Sequence, residues 1–333
     1  MITTGYEKFF RDRSALITGG LGFIGSNLAR RLVGLGARVT LLDALLPNFG
    51  GNLFNIEGYE DRLDVRIADM RDASVVKSLV QHKDFIFNLA GQVSHLDSMQ
   101  NPCADLEINC HSQLYLLEAC RKHNPGVRII YTSTRQVYGK PQYLPVDEKH
   151  PLEPADINGI HKQASGWYHI LYHDVYGLRT TSLRLTNTYG PRMRVADARQ
   201  TFLGLWLRQV LEGEMITIYG DGLQKRDLNF VDDVVDALLL AAVSPEAIGG
   251  IYNLGATDPI TLLNLAQLLI RLNGSGAFRH VPFPPERKAI DIGDYYADYS
   301  KIKAALGWEP GVSLVDGLTQ TVDYYRRYHK RYW

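Results

Sequence analysis

The chain has 333 residues, 45% hydrophobic and 22% charged, and its 36 Lys+Arg balance its 36 Asp+Glu. That composition suits a globular protein with a sizeable core, one large or two intimately joined domains, and excludes a broad polyanion-binding surface, so no nucleic-acid partner is expected. Cys103, Cys110 and Cys120 show neither CxxC spacing nor a following His pair, so they read as ordinary buried thiols and no metal site is expected.

The opening MITTGYEKFFRDRS lacks an apolar leader run, and no later window reaches the ~18 consecutive apolar residues needed to cross a bilayer. We expect a cytoplasmic protein without a membrane partner. Apolar runs of strand length follow at 14–18, 37–43, 63–68, 84–90, 127–133 and 178–185, separated by stretches with helical spacing at 22–34, 72–81, 104–123 and 158–176. Strand–helix alternation with continuous apolar strands predicts an α/β fold, a doubly wound parallel sheet covered by helices on both faces.

After residue 186 the rhythm is irregular. Helices are predicted at 199–212, 231–243, 261–272 and 300–306, strand-like pieces at 215–219 and 251–254, and a Pro-rich loop at HVPFPPER. No repeat or flexible linker separates the halves, so a smaller, interleaved domain is expected to pack on the first with a cleft between them. The terminal DYYRRYHKRYW places Tyr324, Tyr325 and Tyr328 at helical spacing, the pattern of an amphipathic helix packing by its aromatics rather than a nucleic-acid platform.

The first strand runs directly into GGLGFIGSNLARRL, so Gly19, Gly22 and Gly25 form GxxGxxG at a strand-to-helix junction. There the first glycine permits the turn, the second lets backbone approach a pyrophosphate, and the third brings helix and strand together, making the fold Rossmann-type. Asp43 ends the next strand 18 residues beyond Gly25, where a carboxylate accepts from an adenosine ribose and repels a 2′-phosphate, favouring NAD over NADP. Asp69 and Met70 follow the third strand and are placed against adenine, with a plain helix-capping role for Asp69 or Asp72 as the alternative.

Beyond this fingerprint, TGGLGFIG at 18–25, NLAGQ at 88–92, the Asn109 region, TSTRQVYG at 132–139, Lys162, LRLTNTYGPR at 183–192, KRDLNFVDD at 225–233 and DYSKIKAALGWEP at 298–310 form an ordered set. That set resembles the extended short-chain dehydrogenase/reductase family, and in particular its NAD-dependent nucleotide-sugar epimerases and dehydratases. The resemblance implies an NAD-binding domain of residues 1–186 plus roughly 228–255, and a nucleotide-sugar-binding domain of 187–227 and 256–333. It also implies a homodimer paired through helices 104–123 and 158–176. NAD would meet Gly19, Gly22, Phe23, Ile24, Gly25, Asp43, Asp69, Met70, Leu89, Ala90, Gly91 and Lys162; the nucleotide-diphosphate sugar would meet Thr134, Asn187, Arg226 and Arg287. Arg192 and Arg194 face an anionic substrate or are solvated loop charges.

In the family, the Tyr of YxxxK removes a sugar hydroxyl proton while hydride passes to the nicotinamide, the Lys holds the nicotinamide ribose, and a Ser or Thr positions the hydroxyl. Thr134 and Lys162 match by position, but the residue four before Lys162 is Asn158, whose neutral carboxamide is no general base. Asn158 would then orient the sugar. His161 offers an imidazole, with an unperturbed pKa of about 6.5, yet lies about 100° around the helix from Lys162. Tyr138 and His95 are further candidates for the base, each with a structural alternative: packing under a loop for Tyr138, capping or phosphate binding for His95. The expected function is a nucleotide-sugar epimerase or dehydratase acting through a transient keto-sugar; the alternative is a noncatalytic NAD and nucleotide-sugar binding protein.

Overall fold

Seven parallel strands form the centre of the molecule, which the computed structural model describes over residues 6–47 and 49–333. They are β1 (Ser14–Thr18), β2 (Arg38–Asp43), β3 (Leu63–Ile67), β4 (Phe85–Asn88), β5 (Arg128–Thr134), β6 (Arg179–Leu185) and β7 (Ile251–Asn253). Their order across the sheet is β7-β6-β5-β4-β1-β2-β3, and every pairing is parallel. The order reverses between β1 and β4, where helices leave to opposite faces and a crevice opens at the carboxyl ends of the strands. Thr18 is opposite both Leu42 and Asn88, so β1, β2 and β4 end at one level and deliver their loops to that crevice.

The helices flanking the sheet are α1 (Phe23–Gly34), α2 (Ala73–Leu79), α3 (Ser112–His123), α4 (Ile157–Tyr176) and, after α5 (Phe202–Glu212), α6 (Val231–Val243). On one face Leu28 and Leu32 of α1 and Val235, Leu238 and Leu239 of α6 are buried in one cluster with Ala15 and Ile17 of β1. Leu116, Leu117 and Cys120 of α3 join Leu16 and Ile129 on the other face. A separate apolar cluster draws Trp206 and Leu207 from α5, Leu265 and Leu269 from α7 (Leu262–Asn273), Tyr325 from α8 (Leu314–Tyr328), and Ile216 and Ile218 from a strand at Met215–Tyr219. That strand pairs in parallel with Ala277–Val281.

The terminal aromatics pack as an amphipathic helix should. Tyr325 is fully buried and donates to the Met193 carbonyl at 2.5 Å, while the Tyr324 and Tyr332 hydroxyls meet at 2.6 Å.

Three expectations need correction. The single helix predicted over 104–123 is divided into Pro102–Leu106, a π-helical turn at Glu107–His111 and α3, because the widened turn lets Asn109 reach inward to Asp105 and Gln92. Cys103 is exposed, whereas Cys110 and Cys120 are buried. Ala277–Val281, part of it within the Pro-rich loop region, is a strand whose successive exposed residues Arg279 and His280 hide the alternation. Among the described residues no helix is long and apolar enough to cross a membrane.

Candidate active site

The loop after β1 is held by what its glycines lack. A Cβ on Gly25 would lie 2.2 Å from the Gly19 carbonyl oxygen, and Gly19 has φ +68° with the Ala90 backbone 3.0 Å from where its Cβ would be. Bare backbone therefore lines the approach to the amino end of α1, where Gly22 is the N-cap without a side-chain partner, leaving the first amides of the helix available to a phosphate. Thr18 Oγ1 ties this loop to the next by accepting from the amides of Leu89 (3.0 Å) and Ala90 (3.1 Å).

Asp43 ends β2 beside this loop. Its carboxylate accepts from the amides of Leu21 (3.0 Å) and Leu45 (2.9 Å), and burial pushes its carboxyl above the usual range despite those bonds. Each oxygen keeps a lone pair for a ribose hydroxyl. Asp69 and Met70 stand at the end of β3; Asp69 makes a bidentate pair with Arg71, with 2.6 Å between Asp69 Oδ2 and Arg71 Nη2. Of the two capping candidates, Asp72 supplies the helix cap, accepting from the Ser74 and Val75 amides.

A cavity of about 280 Å³ runs along the strand ends and is lined by Gly19, Gly22, Phe23, Ile24, Gly25, Asp43, Asp69, Met70, Leu89, Ala90 and Gly91, then by Thr134, Asn158, Lys162 and Asn187. The structure thus brings the cofactor residues of the sequence together with Thr134, Asn158, Lys162 and Asn187. Lys162 is 5% exposed, and desolvation draws its ammonium down to about 8, opposed by Asp105. Its Nζ lies 3.4 Å from the Thr132 carbonyl, and a Cβ on Gly91 would stand 2.8 Å from that nitrogen. A lysine so close to bare backbone suits a ribose hydroxyl that needs a fixed donor.

Asn158, four residues before Lys162, has its Nδ2 committed to the protein. It donates towards the Gln92 carbonyl (2.8 Å), Gln92 Oε1 (3.2 Å) and Asp105 Oδ2 (3.0 Å). Asp105, 1% exposed, is the hub of a network: the same oxygen also accepts from Asn109, and Oδ1 meets His161 Nδ1 at 2.6 Å. His161 is therefore turned away from the cavity and does not line it. Tyr138 is also elsewhere, fully buried, accepting from Arg184 (2.6 Å) and donating to Asn253 (2.6 Å).

Arg226 and Arg287 do not reach this wall. Arg226 is buried, donates to the Lys225 (2.8 Å) and Gly293 (2.5 Å) carbonyls, and is drawn down to about 10, by burial first and then by Arg135. Arg287 stacks over the Tyr219 ring at 5.5 Å. Arg192 donates to Asn27 (2.6 Å) and Arg194 pairs with Asp197, so neither loop charge lines the cavity.

Arg135 and Gln136, within TSTRQVYG, and His95, one of the candidate bases, also belong to the wall. Arg135 and Gln136 follow Thr134 on a short 3-10 turn that Thr134 caps, accepting from the Gln136 amide at 3.3 Å. His95, at the start of a helix capped by Ser94, points its ring into the cavity and pairs with Asp156, the N-cap of α4. The available signal was an Asp two residues before Asn158, a helix-start pattern in the sequence.

Residues 15–255 match the NAD dependent epimerase/dehydratase family. The chain belongs to that family. It is 33% identical to a UDP-glucose 4-epimerase of Mycolicibacterium smegmatis over 93% of this chain and 98% of the relative. It is 32% identical to UDP-glucuronic acid decarboxylase 1 of Xenopus tropicalis over 95% of this chain and 73% of that protein. Among solved structures, a dTDP-glucose 4,6-dehydratase of Streptomyces venezuelae with NAD and TYD bound superposes with a TM-score of 0.86 at 30% identity, covering 95% of this chain and 98% of that one. The cofactor of the family is NAD, and the glycine cradle, Asp43 and Lys162 fit it.

Proposed function

We propose that this protein is an NAD-dependent nucleotide-sugar epimerase or dehydratase that works through a transient keto-sugar, with a divergent catalytic site. The observation that carries this reading is the continuity of one cavity from the glycine loop and Asp43 to Thr134 and Lys162. When bound, NAD supplies a reversible two-electron hydride acceptor. The amides at the start of α1 hold its pyrophosphate, Asp43 its adenosine ribose, Asp69 and Met70 flank adenine, and Leu89, Ala90, Gly91 and Lys162 meet the nicotinamide end. Thr134 orients the reacting hydroxyl, Asn187 binds the diphosphate side, and Asn158 shapes the pocket by bracing Gln92 and Asp105. Residues 1–186 with roughly 228–255 form the NAD domain; 187–227 and 256–333 form the nucleotide-sugar domain.

A homodimer is part of the same reading. Ile160, Trp167, Leu171 and Val175 of α4 are 48%, 52%, 52% and 60% exposed and recur along one side of the helix, an apolar stripe that a second copy would cover.

The test is a single-turnover experiment with NAD-loaded protein and, separately, UDP-glucose, dTDP-glucose and UDP-glucuronic acid. We expect an absorbance transient at 340 nm with at least one of them and a rearranged sugar in the quenched sample. Tight binding of a sugar nucleotide with neither transient nor product would favour the noncatalytic alternative.

A further inference from the structure

We propose that His95 is the acid–base group of this site and that Asp156 positions it, so that the proton-handling function missing at Asn158 is supplied from the loop after β4. This rests on the redox reading above.

The cavity itself narrows the choice. Among the described residues that line it there is no Tyr, Cys or Glu; its acids, Asp43 and Asp69, stand at the ends of β2 and β3, and Lys162 is a cation below pH 8. His95 is its one imidazole, and it lies in the same wall as Thr134, Gln136 and Asn158. The imidazole is 37% exposed while the Asp156 side chain is 4% exposed, so the pair presents its nitrogen base to the cavity and keeps its carboxylate behind.

The carboxylate is fixed by the helix it starts. Asp156 Oδ1 accepts from the Gly159 amide at 2.7 Å, which leaves Oδ2 against His95 Nδ1. Burial pushes the Asp156 carboxyl upward, but the bond to His95, its charge and the Gly159 amide outweigh that and hold it below the usual range. An ionised carboxylate only accepts, so Nδ1 carries the hydrogen, and in the neutral ring Nε2 carries the lone pair. The Gln136 side-chain amide nitrogen lies against both ring nitrogens, 3.0 Å from Nδ1 and nearer still to Nε2, where it can donate to the bare nitrogen. A sugar hydroxyl takes the place of that amide when substrate binds.

In the oxidising direction the C–H bond of the reacting carbon breaks, its electron pair leaving as hydride to the nicotinamide. The O–H bond breaks with its proton passing to Nε2, and the carbon–oxygen bond becomes a carbonyl. The reverse direction returns hydride to carbon and the proton to oxygen. The imidazolium formed in between is offset by Asp156, the arrangement in which a carboxylate behind an imidazole serves general-base catalysis.

Two measurements test this. With ring-15N histidine, long-range 1H–15N spectra of NAD-loaded protein should show His95 with hydrogen on Nδ1 and a bare Nε2. Whichever of UDP-glucose, dTDP-glucose and UDP-glucuronic acid binds should move the Nε2 resonance, and Asp156→Asn, which retains the helix cap, should alter the tautomer balance. In single turnover, His95→Gln should slow the 340 nm transient ~10²–10⁴-fold with sugar-nucleotide affinity within about threefold, and Asp156→Asn should lower kcat more than it changes KM. A His95→Gln transient as fast as that of the native protein, or a bound sugar nucleotide that leaves Nε2 unmoved, overturns the assignment while leaving the redox reading intact. Failure of all three probes to bind native protein overturns both.

Discussion

His161 Nδ1 stands 2.6 Å from Asp105 Oδ1, behind the cavity rather than in it. Asp105 is buried in a site where Asn109 and Asn158 donate to its other oxygen, so the imidazole is the sole partner of Oδ1 among the described residues. Removing it strands one oxygen of a buried carboxylate. His161→Leu should therefore cost about 2 kcal/mol of stability, read as a lower midpoint in chemical denaturation at pH 7. Catalysis should change much less than with substitutions at His95. A variant as stable as native protein would show that Asp105 does not depend on this contact.

Gly25 tests the dinucleotide cradle. A methyl group there meets the Gly19 carbonyl oxygen, a backbone atom that cannot swing aside, so α1 must shift away from β1. Gly25→Ala should lower the melting temperature and abolish NAD binding in a calorimetric titration. Retention of native affinity would mean that the pyrophosphate does not rest on this turn.

Much of the site was legible in the primary structure because it is local. The glycines, Asp43 and Lys162 each sit at a fixed offset from an apolar strand or within one helix, and the parallel sheet carries those offsets into space. What escaped is non-local. The partner of His95 is 61 residues away, and the contact exists only because β4 and the start of α4 converge on the same crevice. Helical spacing correctly sets His161 off the Lys162 face, yet only the fold reveals the buried carboxylate it meets. Arg226 illustrates the opposite failure: a basic residue in a suggestive motif that is buried away from the cavity, with its Nη1 donating to the Lys225 and Gly293 carbonyls.

Asp43 should govern the choice between dinucleotides. Asn retains the shape and an acceptor for Leu21 or Leu45, while removing the charge that repels a 2′-phosphate. Asp43→Asn should narrow the preference for NAD over NADP at least ~10-fold, roughly 1.4 kcal/mol, measured as the ratio of the two dissociation constants. An unchanged ratio would remove Asp43 from ribose recognition.

The exposed stripe on α4 makes assembly testable apart from chemistry. Trp167 is 52% exposed near its centre, so Trp167→Glu would set two carboxylates into an apolar interface. Light scattering should find a dimer for native protein and a monomer for the variant, both with native circular dichroism. A native monomer would leave the stripe without this partner.

Lys162 joins stability to cofactor binding with opposite pH trends. Its ammonium titrates near 8 when folded and near 10.5 in an unfolded chain, so the native state binds this proton more weakly. The resulting destabilisation is complete below pH 8 and disappears as pH rises towards 10.5. Lys162→Met lacks the titration. The variant should exceed native protein in stability by on the order of 3 kcal/mol at pH 7, and the gap should close between pH 8 and 10.5 in denaturation curves. Cofactor affinity should run the other way: native protein weakens above pH 8 as the ammonium loses its charge, and the variant binds NAD poorly throughout. A stability gap that stays constant with pH would show that the buried amine is not the titrating group.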